Sequence, residues 1–349
     1  MKKSVKILII ISLILVVSLI SIGCGDNRPV INVYNWGDYI DPSVIEDFQK
    51  EFNVKVNYNT FATNEDMYVS IKKGGTSYDV AFPSDYMIER MIDEDMLEKI
   101  NKDNVPNINN IEDRFLHLDF DPNNDYSIPY MWGTVGIIYN KQMVEDKVDS
   151  WDILWNEKYE GQILMLDSQR DSIAVALKKL GYSMNSRNID ELEQAKEELI
   201  KQKPLVYAYV GDEVKDIMVG EEAALAVVWS GDAVAMIREN ENLEYAIPKE
   251  GTNLWFDNMI IPKNNNNKEI AEQFINFMQR PEIAARNTDY VGYSTPNYKA
   301  MELLPEDIIN SKVAYPTDEE MGDVEIFKNP KDFLKVYDDV WLEIKAQRE

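Results

Sequence analysis

The chain has 349 residues, with 36 Lys and Arg against 62 Asp and Glu and a formal charge of −26. With 45% apolar residues it has the make-up of a folded chain with room for two domains, and its acidity excludes wrapping of nucleic acid, since nothing neutralises phosphates over a broad surface. One cysteine and one histidine exclude an intrachain disulfide and a zinc site built from several such ligands.

The first segment is chemically distinct. Lys2, Lys3 and Lys6 precede an apolar run from Ile7 to Ile20, followed by Ser21-Ile22-Gly23-Cys24 and the polar Gly25-Asp26-Asn27-Arg28. A basic head, a short apolar core and small residues predict an export signal over residues 1–23. A small residue directly before a lone cysteine resembles a bacterial lipoprotein signal, which implies a lipid on Cys24. An uncleaved anchor is the alternative, the stretch being barely long enough to span. Both place the folded body outside the membrane, and no later segment is long enough to cross it.

Strands and helices then alternate. Val30–Tyr34 reads as a strand. Asp41 as N-cap and Pro42 as first residue open a helix with Val44, Ile45, Phe48 and Phe52 on one face. Val54–Tyr58 and Tyr78–Phe82 read as strands, the second followed by a helix carrying Met87, Ile88, Met91 and Ile92. His117, between apolar residues in RFLHLDF, is expected to be a satisfied structural histidine rather than part of a Ser-His-Asp triad, since no GxSxG accompanies it. Ile163–Leu166 is a buried strand before a helix over 171–180. Asp190 starts a helix with Leu192, Ala195 and Leu199. Ala223–Trp229 is a second buried strand, followed by a helix through Arg238. Leu254-Trp255-Phe256-Asp257 precedes a strand over 258–261, and Asn264–Asn267 reads as a surface turn. Helices over 268–279 and from Phe333 to Ile344 complete the series. This alternation predicts α/β layering.

Several strands run into an aromatic residue and a carboxylate. VINVY leads into Asn35-Trp36-Gly37-Asp38-Tyr39, YDVAF into Pro83-Ser84-Asp85-Tyr86, ILML into Asp167-Ser168-Gln169-Arg170-Asp171, and AALAVVW ends at Trp229-Ser230-Gly231-Asp232. In open α/β sheets, ligands bind beyond the carboxyl ends of strands, so these loops are placed to converge on one cleft. Indole faces attract cations and cover alkyl chains, and carboxylates pair with ammonium groups. The combination suits an elongated polycation with methylene spacers. Helix capping competes for Ser84, Asp85 and Asp171. Asp121-Pro122-Asn123-Asn124-Asp125 has the look of a calcium loop but carries Tyr126 at the sixth place and Trp132 at the twelfth, so an ordinary loop is expected. No phosphate-binding glycine loop occurs. No cofactor, metal ion or catalytic residue is implied.

At these same segments the chain resembles the spermidine/putrescine-binding proteins of bacterial ABC importers. The likeness runs from Val30 to the C-terminal helix and rests on YNWGDYI (34–40), FDPNNDYSIPYMWGT (120–134), KKLGYS (178–183), VVWSGDA (227–233), AIPKEG (246–251) and VGYSTPN (291–297). It implies a two-lobed periplasmic-binding-protein fold of type II with the ligand cleft between lobes. Lobe one would combine 30–133 and 257–300, and lobe two 134–256 and 301–349, with the crossings near Gly133 and Trp255 as hinge. By the same resemblance the ligand-binding residues are Trp36, Asp38, Tyr39, Ser84, Asp85, Tyr86, Asp171, Trp229, Asp232, Trp255, Asp257 and Tyr293. Ser168 stands where some spermidine binders have aspartate, and Phe327 falls near a position often filled by a polar contact. The implied function is an extracytoplasmic, lipid-anchored polyamine receptor, for spermidine, putrescine or both, that closes on its ligand and delivers it to an ABC permease of the cytoplasmic membrane. It is not an enzyme. Paired carboxylates and aromatic platforms leave a secreted glycoside hydrolase as the alternative.

Overall fold

The computed structural model describes residues 26–347. The predicted export signal and Cys24 lie outside the described residues. Among the described residues no helix is long and apolar enough to cross a membrane.

The strands are β1 (Val30–Asn35), β2 (Lys55–Thr60), β3 (Val80–Ala81), β4 (Ser127–Asn140), β5 (Ile163–Leu166), β6 (Val206–Val210), β7 (Leu225–Trp229), β8 (Leu243–Ala246), β9 (Thr252–Ile260) and β10 (Val324–Glu325). The main helices are α1 (Pro42–Phe52), α2 (Asn64–Lys73), α3 (Asp85–Asp93), α4 (Gln169–Lys179), α5 (Ile189–Gln202), α6 (Val214–Val219), α7 (Ser230–Glu239), α8 (Lys268–Met278), α9 (Pro281–Val291) and α10 (Leu334–Ala346). Local chemistry explains the helix ends. The Asp41 carboxylate accepts from the Ser43 amide, Pro42 follows at the first position, and Asn53 closes α1 in the left-handed region at φ 51°. The apolar face of α1 buries Val44 and Phe48, and the Phe48 ring packs on Phe52, Phe274 and Phe277.

The strand order is β2-β1-β3-β9-β4-β7-β5-β6, with β10 on β9 and β8 on β4. β1 runs parallel to β2 and β3, and β5 parallel to β6 and β7, whereas β4 is antiparallel to β7, β8 and β9. β4 spans two groups of strands. Its residues up to Thr134 pair with β9, and from Val135 onward it pairs with β7. Gly133 faces Trp255 in the register. A Cβ on Gly133 would lie 2.5 Å from Ser230 Oγ and 2.6 Å from the Trp255 ring, so only glycine fits at this crossing.

The structure corrects two strand expectations and adds strands that periodicity did not mark. Only Val80 and Ala81 of the segment 78–82 are strand, although the Asp79 and Phe82 amides on either side still donate to β1 carbonyls; the Asp79 carboxylate accepts from the amides of Asn32, Asn266 and Asn267. Leu254–Asp257 does not precede a strand but forms the middle of β9. Its aromatic and acidic residues read as a loop, yet Trp255, Phe256 and Asp257 are all buried. β4, with 14 residues the longest strand, has no counterpart among the elements predicted from periodicity. It is buried on both faces and shows no alternation, and Pro129 is absorbed at an irregularity in the pairing with β9.

Two other expectations agree with the coordinates. His117 is exposed, and its Nδ1 lies 2.9 Å from the Pro122 carbonyl. Asp121 accepts from the amides of Asp125, Tyr126 and Ser127 and from the Ser127 hydroxyl. Its carboxylate closes the loop from within.

Candidate functional site

Asp257 lies on β9, beside the N-terminus of α3. Ser84 holds the N-cap position of α3 but makes no side-chain cap; its hydroxyl donates instead to Asp257 Oδ1 at 2.6 Å. Asn64, on α2, supports Ser84 from behind. Its Nδ2 donates to Ser84 Oγ at 3.0 Å and to the Tyr86 hydroxyl at 3.1 Å, and its Oδ1 accepts from the Ser84 amide. The Tyr86 hydroxyl donates in turn to Glu65. Burial pushes the Asp257 carboxyl up to about 7; the hydrogen bond from Ser84 and the nearby Tyr39 hydroxyl pull it down, and Asp171 raises it further.

Two more carboxylates share this condition. Asp171 sits in the first turn of α4, where Ser168 takes the N-cap position and donates its hydroxyl to Asp171 Oδ2 at 2.6 Å. Asp171 Oδ1 is buried with no hydrogen-bond partner. Burial raises its carboxyl to about 6, against the opposing pull of Ser168 and Arg170. Asp232 lies in the first turn of α7 and is likewise raised by burial to about 6, with Lys215 opposing and Asp212 adding to the rise. The N-terminus of a helix favours an anion, so α4 and α7 each help to hold one of these acids.

The aromatic residues divide into two sets. Trp255 packs edge to face on Tyr293 (centroids 5.2 Å apart), and Tyr293 packs likewise on Tyr39 (5.3 Å). The Trp255 Nε1 and the Tyr39 hydroxyl are buried without a hydrogen-bond partner among the described residues. Trp229 is half-buried at the end of β7, opposite Val135. Trp36 is anchored by other partners. Its indole N–H donates to the Phe82 carbonyl at 2.8 Å and its ring leans on Phe61 at 4.5 Å, so it joins two apolar cores rather than touching the other indoles. Gly231 permits the approach of Tyr293, since a Cβ there would overlap the tyrosine ring.

Two of the predicted residues differ in character from the rest. Asp85 is fully buried, with its carboxylate bonded to the amides of Tyr86 (2.7 Å) and Phe256 (3.0 Å). Burial drives its pKa well up. It ties α3 to β9 and gives its oxygens to the backbone. Asp38 is 78% exposed and bonds Lys215 at 3.3 Å.

Sequence reasoning missed several neighbours. Arg170 is buried, with its guanidinium against the rings of Tyr86, Phe327 and Tyr337. It lies in the Asp-Ser-Gln-Arg-Asp run, where nothing local marks an arginine as facing three rings. Asn64, Glu65 and Lys215 carried no local signal. A cavity of about 150 Å³ lies beyond Arg170, and Arg187, Lys328 and Lys331 share its lining; this cationic lining is of the wrong sign for cargo of the acid cluster. Polar contacts bridge the rims. The Asn329 amide donates to Glu89 at 2.7 Å, and Lys331 pairs with Glu89 and Asp93.

Three buried carboxylates, of which Asp171 and Asp257 have no lysine or arginine nitrogen within 4.0 Å among the described residues, stand beside an indole and two phenol rings, an arrangement chemically suited to a cation. Ionised acids without a counter-charge are costly to bury, and ammonium groups supply that charge.

Comparison with known proteins gives the same class. The chain matches the model of the bacterial extracellular solute-binding proteins over residues 43–317. It is 37% identical over 327 residues to the spermidine/putrescine-binding periplasmic protein of Salmonella typhimurium, covering 93% of this chain and 94% of that one. A putrescine-binding periplasmic protein of Pseudomonas aeruginosa is 35% identical, with 92% and 93% covered. Among solved structures, a spermidine/putrescine ABC transporter protein from Listeria monocytogenes matches with a TM-score of 0.90 at 46% identity, covering 92% of this chain and 100% of that one. These relatives are two-lobed binding proteins of transporters rather than enzymes, which rejects the glycoside hydrolase alternative.

Proposed function

The chain belongs to the bacterial extracellular solute-binding proteins, and from that premise we propose that it captures polyamines outside the cytoplasm and hands them to an ABC permease. The observation that carries this reading is the set Asp171, Asp232 and Asp257, all buried and all with raised pKa, beside Trp255, Tyr293 and Tyr39. In this reading the rings cover the methylene chain while the carboxylates neutralise its ammonium groups. Trp36, Trp229, Ser84 and Tyr86 complete the walls. Asp85 braces Asp257 from behind through the backbone of β9. The names of the relatives, which specify spermidine and putrescine, support the same cargo.

The lobes of this proposal are 30–133 with 257–300, and 134–256 with 301–349. The change of β4 partners after Thr134 supports a hinge at Gly133 and Trp255. Without cargo, repulsion among the acids favours separated lobes; bound ammonium groups shift the population toward closure. A lipid on Cys24 would keep the receptor at the outer face of the membrane, beside its permease. Calorimetry on the protein lacking residues 1–25 tests the assignment. Micromolar binding of putrescine or spermidine is expected, with none for a neutral sugar or an amino acid. Binding of either of those in place of the polyamines would overturn it.

A further inference from the structure

One ammonium group already stands among the acids. Lys215, on α6, places Nζ 3.3 Å from Asp38 Oδ2, 3.7 Å from Asp212 Oδ1 and 3.9 Å from Asp232 Oδ1. The three carboxylates come from separate places: the loop after β1, the turn after β6 and the first turn of α7. They meet closely, since a Cβ on Gly37 would lie 3.0 Å from Asp212 Oδ2. Lys215 is only 24% exposed. Burial lowers its pKa, but Asp232, Asp212 and Asp38 together outweigh that and raise it, so the amine remains charged. A primary ammonium ringed by three carboxylates is the arrangement that the end of a polyamine chain would seek. By contrast, Asp171 and Asp257 have no lysine or arginine nitrogen within 4.0 Å among the described residues.

We infer that Lys215 sets the length of the cargo: its ammonium fills one ammonium subsite, at Asp38, Asp212 and Asp232, and leaves Asp171 and Asp257 to a short diamine. The inference rests on the polyamine reading and deepens it: of the three buried acids, Asp232 is matched by Lys215, and Asp171 and Asp257 are left to the cargo. A triamine that reached the Lys215 end would have to displace a resident ammonium from the same oxygens. It would exchange one ion pair for another and leave a half-buried lysine without partners. A four-carbon diamine meets no such competition.

Calorimetry of the wild type, Lys215→Met and Lys215→Arg with putrescine and with spermidine tests the idea. Methionine keeps the aliphatic stem and frees the three carboxylates. The ratio of the two dissociation constants is the readout, because a general loosening of closure weakens both ligands alike. Lys215→Met should shift that ratio toward spermidine by about tenfold or more, the worth of one charge-assisted contact. Lys215→Arg, which keeps the charge, should hold the wild-type ratio to within about twofold. Lys215→Gln, polar and uncharged, replaces the Met variant if that does not fold, and the same shift is expected. An unchanged ratio in the uncharged variant, with both ligands still bound, overturns the role of Lys215 and leaves the receptor reading intact. Failure of the wild type to bind either polyamine overturns both.

Discussion

Asp257→Asn should stabilise the ligand-free protein while impairing capture, and the stabilisation should grow with pH. The Asp257 carboxyl moves from its ordinary 3.8 to about 7 in the folded protein, chiefly through burial. A carboxyl whose folded pKa is raised contributes stability that is complete below about pH 3.8 and is lost as pH rises through about 7. At about 1.4 kcal/mol per tenfold change, about 4 kcal/mol is lost by about pH 8, of which about 1.5 kcal/mol is already gone at about pH 5. Asparagine has nearly the same shape, and its Oδ1 can still accept from Ser84, so the bond at 2.6 Å has a replacement. It does not ionise. The advantage of Asn over Asp in unfolding free energy should therefore widen by about 2–3 kcal/mol between about pH 5 and about pH 8. Urea denaturation of both proteins without ligand, at the two pH values, measures it. A constant offset between the two proteins would refute the reasoning, since it would mean that Asp257 is hydrated and ordinary. Polyamine titration of the same variant should show affinity weakened about tenfold or more, as one desolvated charge pair is lost.

Trp255→Phe keeps an aromatic ring against Tyr293 but weakens the cation-binding face; polyamine affinity should fall about threefold to tenfold by calorimetry while the melting temperature moves little. Gly231→Ala puts a methyl group into the Tyr293 ring, so it should cost about 1–3 kcal/mol in chemical denaturation and displace a ring from the site, with lowered affinity. Asp121→Ala strands three backbone amides and the Ser127 hydroxyl; a loss of about 2–4 kcal/mol is expected, and calcium should leave the wild-type melting temperature unchanged.

The helices were legible because their information is local. α1, α5, α7 and α8 each carry an apolar stripe at helical spacing, with boundaries marked by residues such as Asp41 and Pro42. The short strands β1, β5 and β7 were legible as compact apolar runs. The crossing strands were not. β4 is buried on both faces and interrupted by Pro129, Gly133 and Gly136, so neither alternation nor composition marks it. β9 hides Asp257 in its interior, and an acid in a strand reads as its end until burial is known. The residue types of the site were also legible, as aromatic and acid pairs at strand ends. Their individual duties were not, for Asp85 and Asp257 look alike in sequence. One carboxylate serves two backbone amides and the other faces a serine hydroxyl.

By itself the sequence determined the α/β class and the impossibility of an intrachain disulfide, and it carried the expectations of an export signal and a cationic cargo, because each follows from composition or from neighbours along the chain. Tertiary structure alone decided which acids lose their water, which are claimed by the backbone, and that Lys215 meets Asp38 from 177 positions away. Burial and through-space charge depend on what surrounds a group in three dimensions, and no local pattern along the chain encodes those surroundings.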